Sequence, residues 1–230
     1  MPGVVEIPTD PLDWRPQSAR PSRRPRALAD PVIEPLWQGI RVLVHLDTAR
    51  RAADGGPWCR IVAEDGADAS EVEPAVTAAL RAAALARDAV IDGFLTRQAT
   101  RSGVNVALVT IGRRSGNIVM GHRVDPEIAP PLDDDTPHPL AFVAVDLLRV
   151  DGQDLFDIPL LERKRILDSL LEVGERVRIS PYTRPPVEGW MRSWRAAGFE
   201  VVVLKAANSR YHPGAETDDW TVALASPSRR

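Results

Sequence analysis

Lysine is nearly absent from this 230-residue sequence: of 29 basic residues only Lys164 and Lys205 are lysines. Any chemistry that runs through a nucleophilic amine therefore has two candidates. Cysteine is rarer still. Cys59 stands alone, so no internal disulfide forms and a reducing, cytoplasmic setting is expected. Beside Trp58 in an apolar run, Cys59 reads as a packed side chain rather than a nucleophile. No apolar run approaches the roughly 20 residues of a membrane helix, and the N-terminus has no apolar core of the signal-peptide kind, so no membrane partner is expected. No Gly-x-x-x-x-Gly-Lys-Ser/Thr occurs, which excludes a P-loop. His45, His122, His138 and His212 lack ligand spacing, so no metal site is assigned. The acidic run 133–135 reads as a solvated loop. A net charge of −3 argues against a nucleic-acid binder driven by bulk electrostatics.

What is present is ordinary for a globular chain: 44% hydrophobic and 27% charged residues, enough for one substantial domain. Residues 1–27 mix Pro, Ser and Arg, bury little, and are expected to form a disordered arm. Through Arg15, Arg20, Arg23, Arg24 and Arg26, any contact of that arm with DNA is expected to be weak and salt-sensitive. The folded domain is expected over 28–226. "IRVLVHL" and "WCRIVAEDG" read as paired strands. "SEVEPAVTAALRAAALA" reads as a helix with Ser70 as N-cap and Glu73 at capping-box spacing. "DAVIDGFLT", "VNVALVTIG", "NIVMGHRV" and "LAFVAVDLLRV" read as strands, with "GRRSGN" as a hairpin turn. "PLLERKRILDSLLEVG" reads as a helix burying Leu160, Leu161, Ile166, Leu170 and Leu171, with Gly174 as C-cap. "VRISPYT", a helix ending at Gly198, "FEVVVLKA" and "WTVALAS" complete the chain. Irregular alternation of hairpin-joined strands and helices predicts an α+β fold with largely antiparallel sheets.

Four segments, in order, carry a resemblance. They are "EPLWQGIR" (34–41), "VIDGF" (90–94), "AFVAVDLLRVDGQDLFDIPLLERKRIL" (141–167) and "GFEVVVLKAANSRYHPGAETDDWTVAL" (198–224). Together they resemble the nucleotidyltransferase domain of ATP-dependent DNA ligases, whose signatures are Glu-x-Lys-x-Asp-Gly-x-Arg, Asp-Gly-Glu, Phe-Asp-Leu-Leu, and Glu-Gly-x-x-x-Lys followed by Trp-x-Lys-x-Lys. The resemblance implies two antiparallel sheets with flanking helices, an ATP-grasp-like arrangement around a nucleotide cleft. The OB domain that closes this cleft in the family is not expected after "ASPSRR".

The resemblance also implies a loss of chemistry. In the family a lysine amine attacks the α-phosphate of ATP, and here Leu36 occupies that position, so no catalytic residue is assigned. Gln38 stands for the motif's aspartate, Phe94 for the glutamate, Val201 for a glycine, and Val222 and Leu224 for the two closing lysines. Arg41, Asp92, Asp146, Glu200, Lys205, Ser209, Tyr211, Gly214 and Trp220 remain. By family position, Glu34, Arg41, Phe142, Glu200 and Lys205 are the candidate nucleotide-binding residues, although Phe142 reads equally as core. ATP is a candidate ligand, and Mg2+ only if the chemistry survives. The replacements are mostly apolar, so Leu36, Phe94, Val222 and Leu224 are expected on one wall near Arg41 and Lys205. The reading favours a ligase-like pseudoenzyme with a binding or accessory role in DNA repair or recombination, pairing with a protein partner. The alternative is a working ligase subunit that uses another nucleophile or a partner.

Overall fold

The computed structural model describes residues 7–21, 28, 30–72, 74–98, 106–114, 117–124 and 139–224. The strands in chain order are β1 (Ser18–Pro21), β2 (Pro31–Pro35), β3 (Ile40–Arg51), β4 (Pro57–Ala63), β5 (Asp88–Thr96), β6 (Val106–Arg114), β7 (Asn117–Val124), β8 (Ala141–Val150), β9 (Gln153–Asp154), β10 (Val177–Ile179), β11 (Val201–Ala206) and β12 (Glu216–Leu224). The helices are α1 (Pro74–Ala83), α2 (Leu160–Asp168) and α3 (Glu188–Ala196). The chain divides into two compact units, residues 1–98 with 139–230, and residues 99–138. Within the second unit β6 and β7 pair as an antiparallel hairpin, with Arg114 opposite Asn117, as "GRRSGN" predicts. The acidic run 133–135 and His138 lie outside the described residues.

The first unit is built on two sheets. One has the order β1-β12-β11-β2; the other has β10-β8-β5-β3-β4, with β9 on β8. This is the α+β fold expected, with one difference. Each sheet contains a parallel pair, β1 with β12 and β10 with β8. Both extra strands come from segments far away in sequence, for which no hairpin constrains direction.

Strand alternation sorts the core. Val42, Val44 and Leu46 of β3 face α1 and α2, packing with Val76, Leu80 and Leu167. Leu43 of β3 faces the other way, toward Trp220 of the first sheet and Tyr211 in the loop before β12. A third cluster joins Ile33, Trp37, Phe94 and Val145 to Met191 and Trp194 of α3. Gly93 has no room for a side chain: a Cβ there would lie 2.4 Å from the Phe142 ring and from the Val143 carbonyl. Phe142 is fully buried on the α1/α2 side.

Residues 7–21 are not the free arm that their composition suggests. Asp10 caps a short 3-10 turn over Pro11–Asp13 through Leu12 N at 2.9 Å. Trp14 is 2% exposed and packs edge-on against Phe156. Arg15 O accepts from Gly214 N, Ser18 N donates to Ala215 O, and β1 extends the sheet beside β12. One large buried aromatic outweighs the Pro/Ser/Arg bias around it. Arg20 pairs with Glu216 and Asp218 rather than projecting freely. Residues 22–27, with Arg23, Arg24 and Arg26, lie outside the described residues.

Two helix readings also change. α1 starts at Pro74, and Ser70 Oγ accepts from Ile61 N instead of capping it; Glu73 lies outside the described residues. α2 ends at Asp168, and its buried residues are Leu160, Arg163, Lys164 and Leu167. Leu161, Ile166 and Leu170 are only partly buried. Two basic side chains thus occupy the face assigned to leucines, and the carboxylates they meet explain why.

Candidate functional site

Asp146 sits in the middle of the apolar strand β8 and is fully buried. An isolated carboxylate there would be prohibitive. Arg163, one helix away and equally buried, meets it with two hydrogen bonds of 2.8 Å, from Nε and Nη2. Burial alone would push the Asp146 carboxyl up, but the Arg163 guanidinium outweighs it and holds the carboxyl below its ordinary range.

Asp92, on β5, is also fully buried. Arg41 of β3 grips it through Nε at 2.5 Å and Nη2 at 2.6 Å, while Tyr211 Oη donates to Asp92 Oδ2 at 2.7 Å. Tyr211 Oη in turn accepts from Gln17 N at 2.9 Å. Burial, then the Asp92 charge, raises the Tyr211 pKa, so the phenol stays neutral. Burial disfavours the Arg41 charge, but Asp92 overcomes this and the guanidinium remains protonated.

Glu34 of β2 is the third buried carboxylate, 2% exposed. Its Oε1 lies 3.0 Å from Lys164 Nζ and 3.1 Å from Lys205 Nζ, an ion-pair approach without hydrogen-bond geometry. Lys164 also donates to Val145 O at 2.9 Å. Lys205 Nζ sits 4.1 Å from the centre of the Trp220 ring. Burial depresses the Lys205 pKa, and Glu34 only partly restores it.

Of these groups Glu34, Arg41 and Lys205 line a cavity of about 230 Å3 between the sheets. Its wall includes Glu34, Leu36, Arg41, Phe94, Lys205 and Val222. Strand β1 and the residues before it contribute Pro16 to Ala19. A bulge in β8 helps to shape it: Asp92 pairs with Asp146 and the next residue, Gly93, with Ala144, so Val145 is left unpaired and lines the cavity.

The residues singled out in the sequence divide accordingly. Glu34, Arg41 and Lys205 line the cavity, and Leu36, Phe94 and Val222 share its wall as the replacements predict. Leu224 does not. It is the last residue of β12, opposite Val201, and is 70% exposed. Phe142 lies in the α1/α2 core because β8 turns that side chain away from the cavity. Glu200 is exposed just before β11 and does not line the cavity. Sequence reasoning missed Arg163 and Lys164 as partners of the site. The available signal was Asp146 in an apolar strand, which demands a buried cation.

The geometry is matched by likeness to known proteins. The ATP dependent DNA ligase domain model covers residues 26–221, and the chain belongs to that family. Curated relatives include a probable DNA ligase from Mycobacterium sp. (strain KMS), 36% identical over 83 residues, which are 36% of this chain and 16% of that protein. A DNA ligase from Methanothrix thermoacetophila is 39% identical over 85 residues, 36% of this chain and 15% of that protein. The matching stretch is thus a small part of these relatives' length. The ligase domain of M. tuberculosis LigD has the same fold, with a TM-score of 0.61 and 19% identity over 94% of this chain and 60% of that one. Mycobacterial DNA ligase D, solved with ATP and MES, gives 0.59 at 20% identity, over 93% of this chain and 60% of that one.

The cavity residues do not fit a nucleoside triphosphate. Among the described residues only Arg41 and Lys205 bring positive charge to the wall, and Asp92 and Glu34 already engage them. Leu36 and Val222 add apolar surface to the same wall. Among the described residues no three His, Cys, Asp or Glu side chains converge as a metal site. Burial raises the Cys59 thiol pKa to about 12, which leaves it inert as a nucleophile.

Proposed function

We propose that this ligase-family domain acts by binding rather than by nucleotidyl transfer, as an accessory protein in DNA repair or recombination. The observation that carries the reading is Leu36 on the cavity wall, beside Glu34, Arg41 and Lys205. A side chain without a lone pair stands at the nucleophile's place, and the neighbouring replacements are apolar too. Removing several interacting charges together avoids stranding any one of them in the interior. A DNA-repair setting follows from family analogy. A cytoplasmic setting belongs to the same reading and draws on the lone Cys59; no helix among the described residues is long and apolar enough to cross a membrane.

A second reading keeps the chain active, with Lys205 as nucleophile. It draws on Lys205 being a cavity-lining amine whose pKa is lowered by burial. Against it stand the ion pair with Glu34 and the stacking on Trp220, which hold Nζ in place. Nick sealing on a pre-adenylated duplex tests the first reading, since that substrate needs no attack on ATP, and retention of AMP after incubation with ATP tests the second. The binding reading expects no sealed product with or without Mg2+; sealed product would overturn it.

A further inference from the structure

Among the described residues, the buried groups at and behind the cavity do not balance in charge, and the further carboxylate at the rim, Glu64, is exposed. Four cations, Arg41, Arg163, Lys164 and Lys205, meet three carboxylates, Glu34, Asp92 and Asp146. Two pairs are closed, each by two hydrogen bonds: Arg41 with Asp92, and Arg163 with Asp146. Glu34 is left to serve two ammonium groups through one oxygen. Lys164 has the Val145 carbonyl besides. Lys205 has Glu34 and the Trp220 face in direct contact and feels Asp146 from farther off, and it is the member of this trio that lines the cavity together with Glu34. A buried cation that shares its counter-ion is costly. An anion taken into the cavity removes that cost.

The walls decide which anion. Leu36, Phe94, Val145, Val203 and Val222 are apolar, and Trp220 adds an aromatic edge. Asp92 occupies Nε and Nη2 of Arg41, so Nη1 keeps its donors. About 230 Å3 lies below the roughly 300–1,000 Å3 of pockets that enclose drug-sized ligands. One surplus buried charge, a small volume and a partly apolar wall point to one ligand class.

We propose that the cavity binds a small organic monocarboxylate, its carboxylate directed to Lys205 and Arg41 and its compact apolar body set against Leu36, Phe94 and Val222. The inference rests on the binding reading of this site. A polyphosphate brings several charges to a single surplus cation and sets a polar ribose against hydrocarbon. Glu64, exposed on the rim, adds a repulsion that solvent screens and that weighs more heavily on polyanions than on a monoanion.

The test is calorimetric titration of the whole chain with benzoate, alongside benzyl alcohol, inorganic phosphate and ATP, with the melting temperature followed in parallel. Benzoate is expected to bind one-to-one and raise the melting temperature. Benzyl alcohol, the same shape without the charge, should bind at least about tenfold more weakly, or about 1.4 kcal/mol. Lys205→Gln should weaken benzoate to a similar extent. Leu36→Trp fills the cavity while keeping every charge, and should also abolish binding, so the proposal stands or falls even if Lys205→Gln does not fold. Equal binding of benzyl alcohol, phosphate binding as well as benzoate, benzoate binding unchanged in Leu36→Trp, or no benzoate binding at all would each overturn it. If ATP displaces benzoate and leaves AMP on the protein, the non-catalytic reading fails. If benzoate does not bind and no AMP is retained, only this inference fails.

Discussion

Arg163 and Asp146 are fully buried and joined by two parallel hydrogen bonds of 2.8 Å, which tie helix α2 to the centre of strand β8. The pair explains why α2 turns charged residues inward. Removing one partner strands the other, at a cost of about 3–5 kcal/mol, a large part of the roughly 5–15 kcal/mol that holds a domain folded. Urea unfolding of Asp146→Asn and of Arg163→Met should show losses of that size. The double variant Asp146→Leu/Arg163→Met should lose less than the sum, because both charges then leave the interior together.

His45 predicts an acid-side weakness. It is 3% exposed, its Nε2 has no hydrogen-bond partner, and burial, with Arg60 next in weight, lowers its pKa to about 4. Asp10 pulls the other way and Arg15 adds to the lowering. The folded value lies below the unfolded value of about 6.5, so the unfolded chain takes up the proton first as pH falls. Stability from this group is therefore complete above about pH 6.5 and is lost toward pH 4, by a few kcal/mol at about 1.4 kcal/mol per unit. His45→Phe should flatten that part of the stability profile; an unchanged slope would assign it to other groups.

Trp14 tests whether the N-terminal segment belongs to the fold. It is 2% exposed and its Nε1 donates to Pro8 O at 2.7 Å. Trp14→Ala should cost about 3–5 kcal/mol. A change within about 0.5 kcal/mol, the usual effect at an exposed site, would return the segment to a free arm.

The strands and much of the cavity wall were legible in the sequence because alternation and apolar runs report burial directly. Leu36, Phe94 and Val222 were expected on one wall from the resemblance to family signatures, and all three line the cavity. What stayed hidden required knowledge of partners distant in sequence. Arg163 reads as a surface residue of an amphipathic helix until Asp146 is set opposite it, and Gln17 reads as linker until Tyr211 and His212 are seen to meet it. Composition likewise hid the N-terminal segment, because a single Trp14 does not change an average.

Leu36→Lys should not restore ligation. It would set a third cation close to Lys205 and Arg41, beside apolar Phe94 and Val222. With no carboxylate at position 94 and no lysine at 222, neither the amine nor a triphosphate gains a partner. The variant should be less stable than the parent and retain no AMP; sealing of a nicked duplex by it would show that the rest of the machinery is intact.

The most direct measurement is the intact mass of the protein after incubation with ATP and Mg2+, then denaturation. The parent chain and Lys205→Ala are compared. A non-catalytic domain shows one unchanged mass in both samples. A parent peak heavier by one AMP, missing from Lys205→Ala, would contradict the account and make Lys205 the nucleophile.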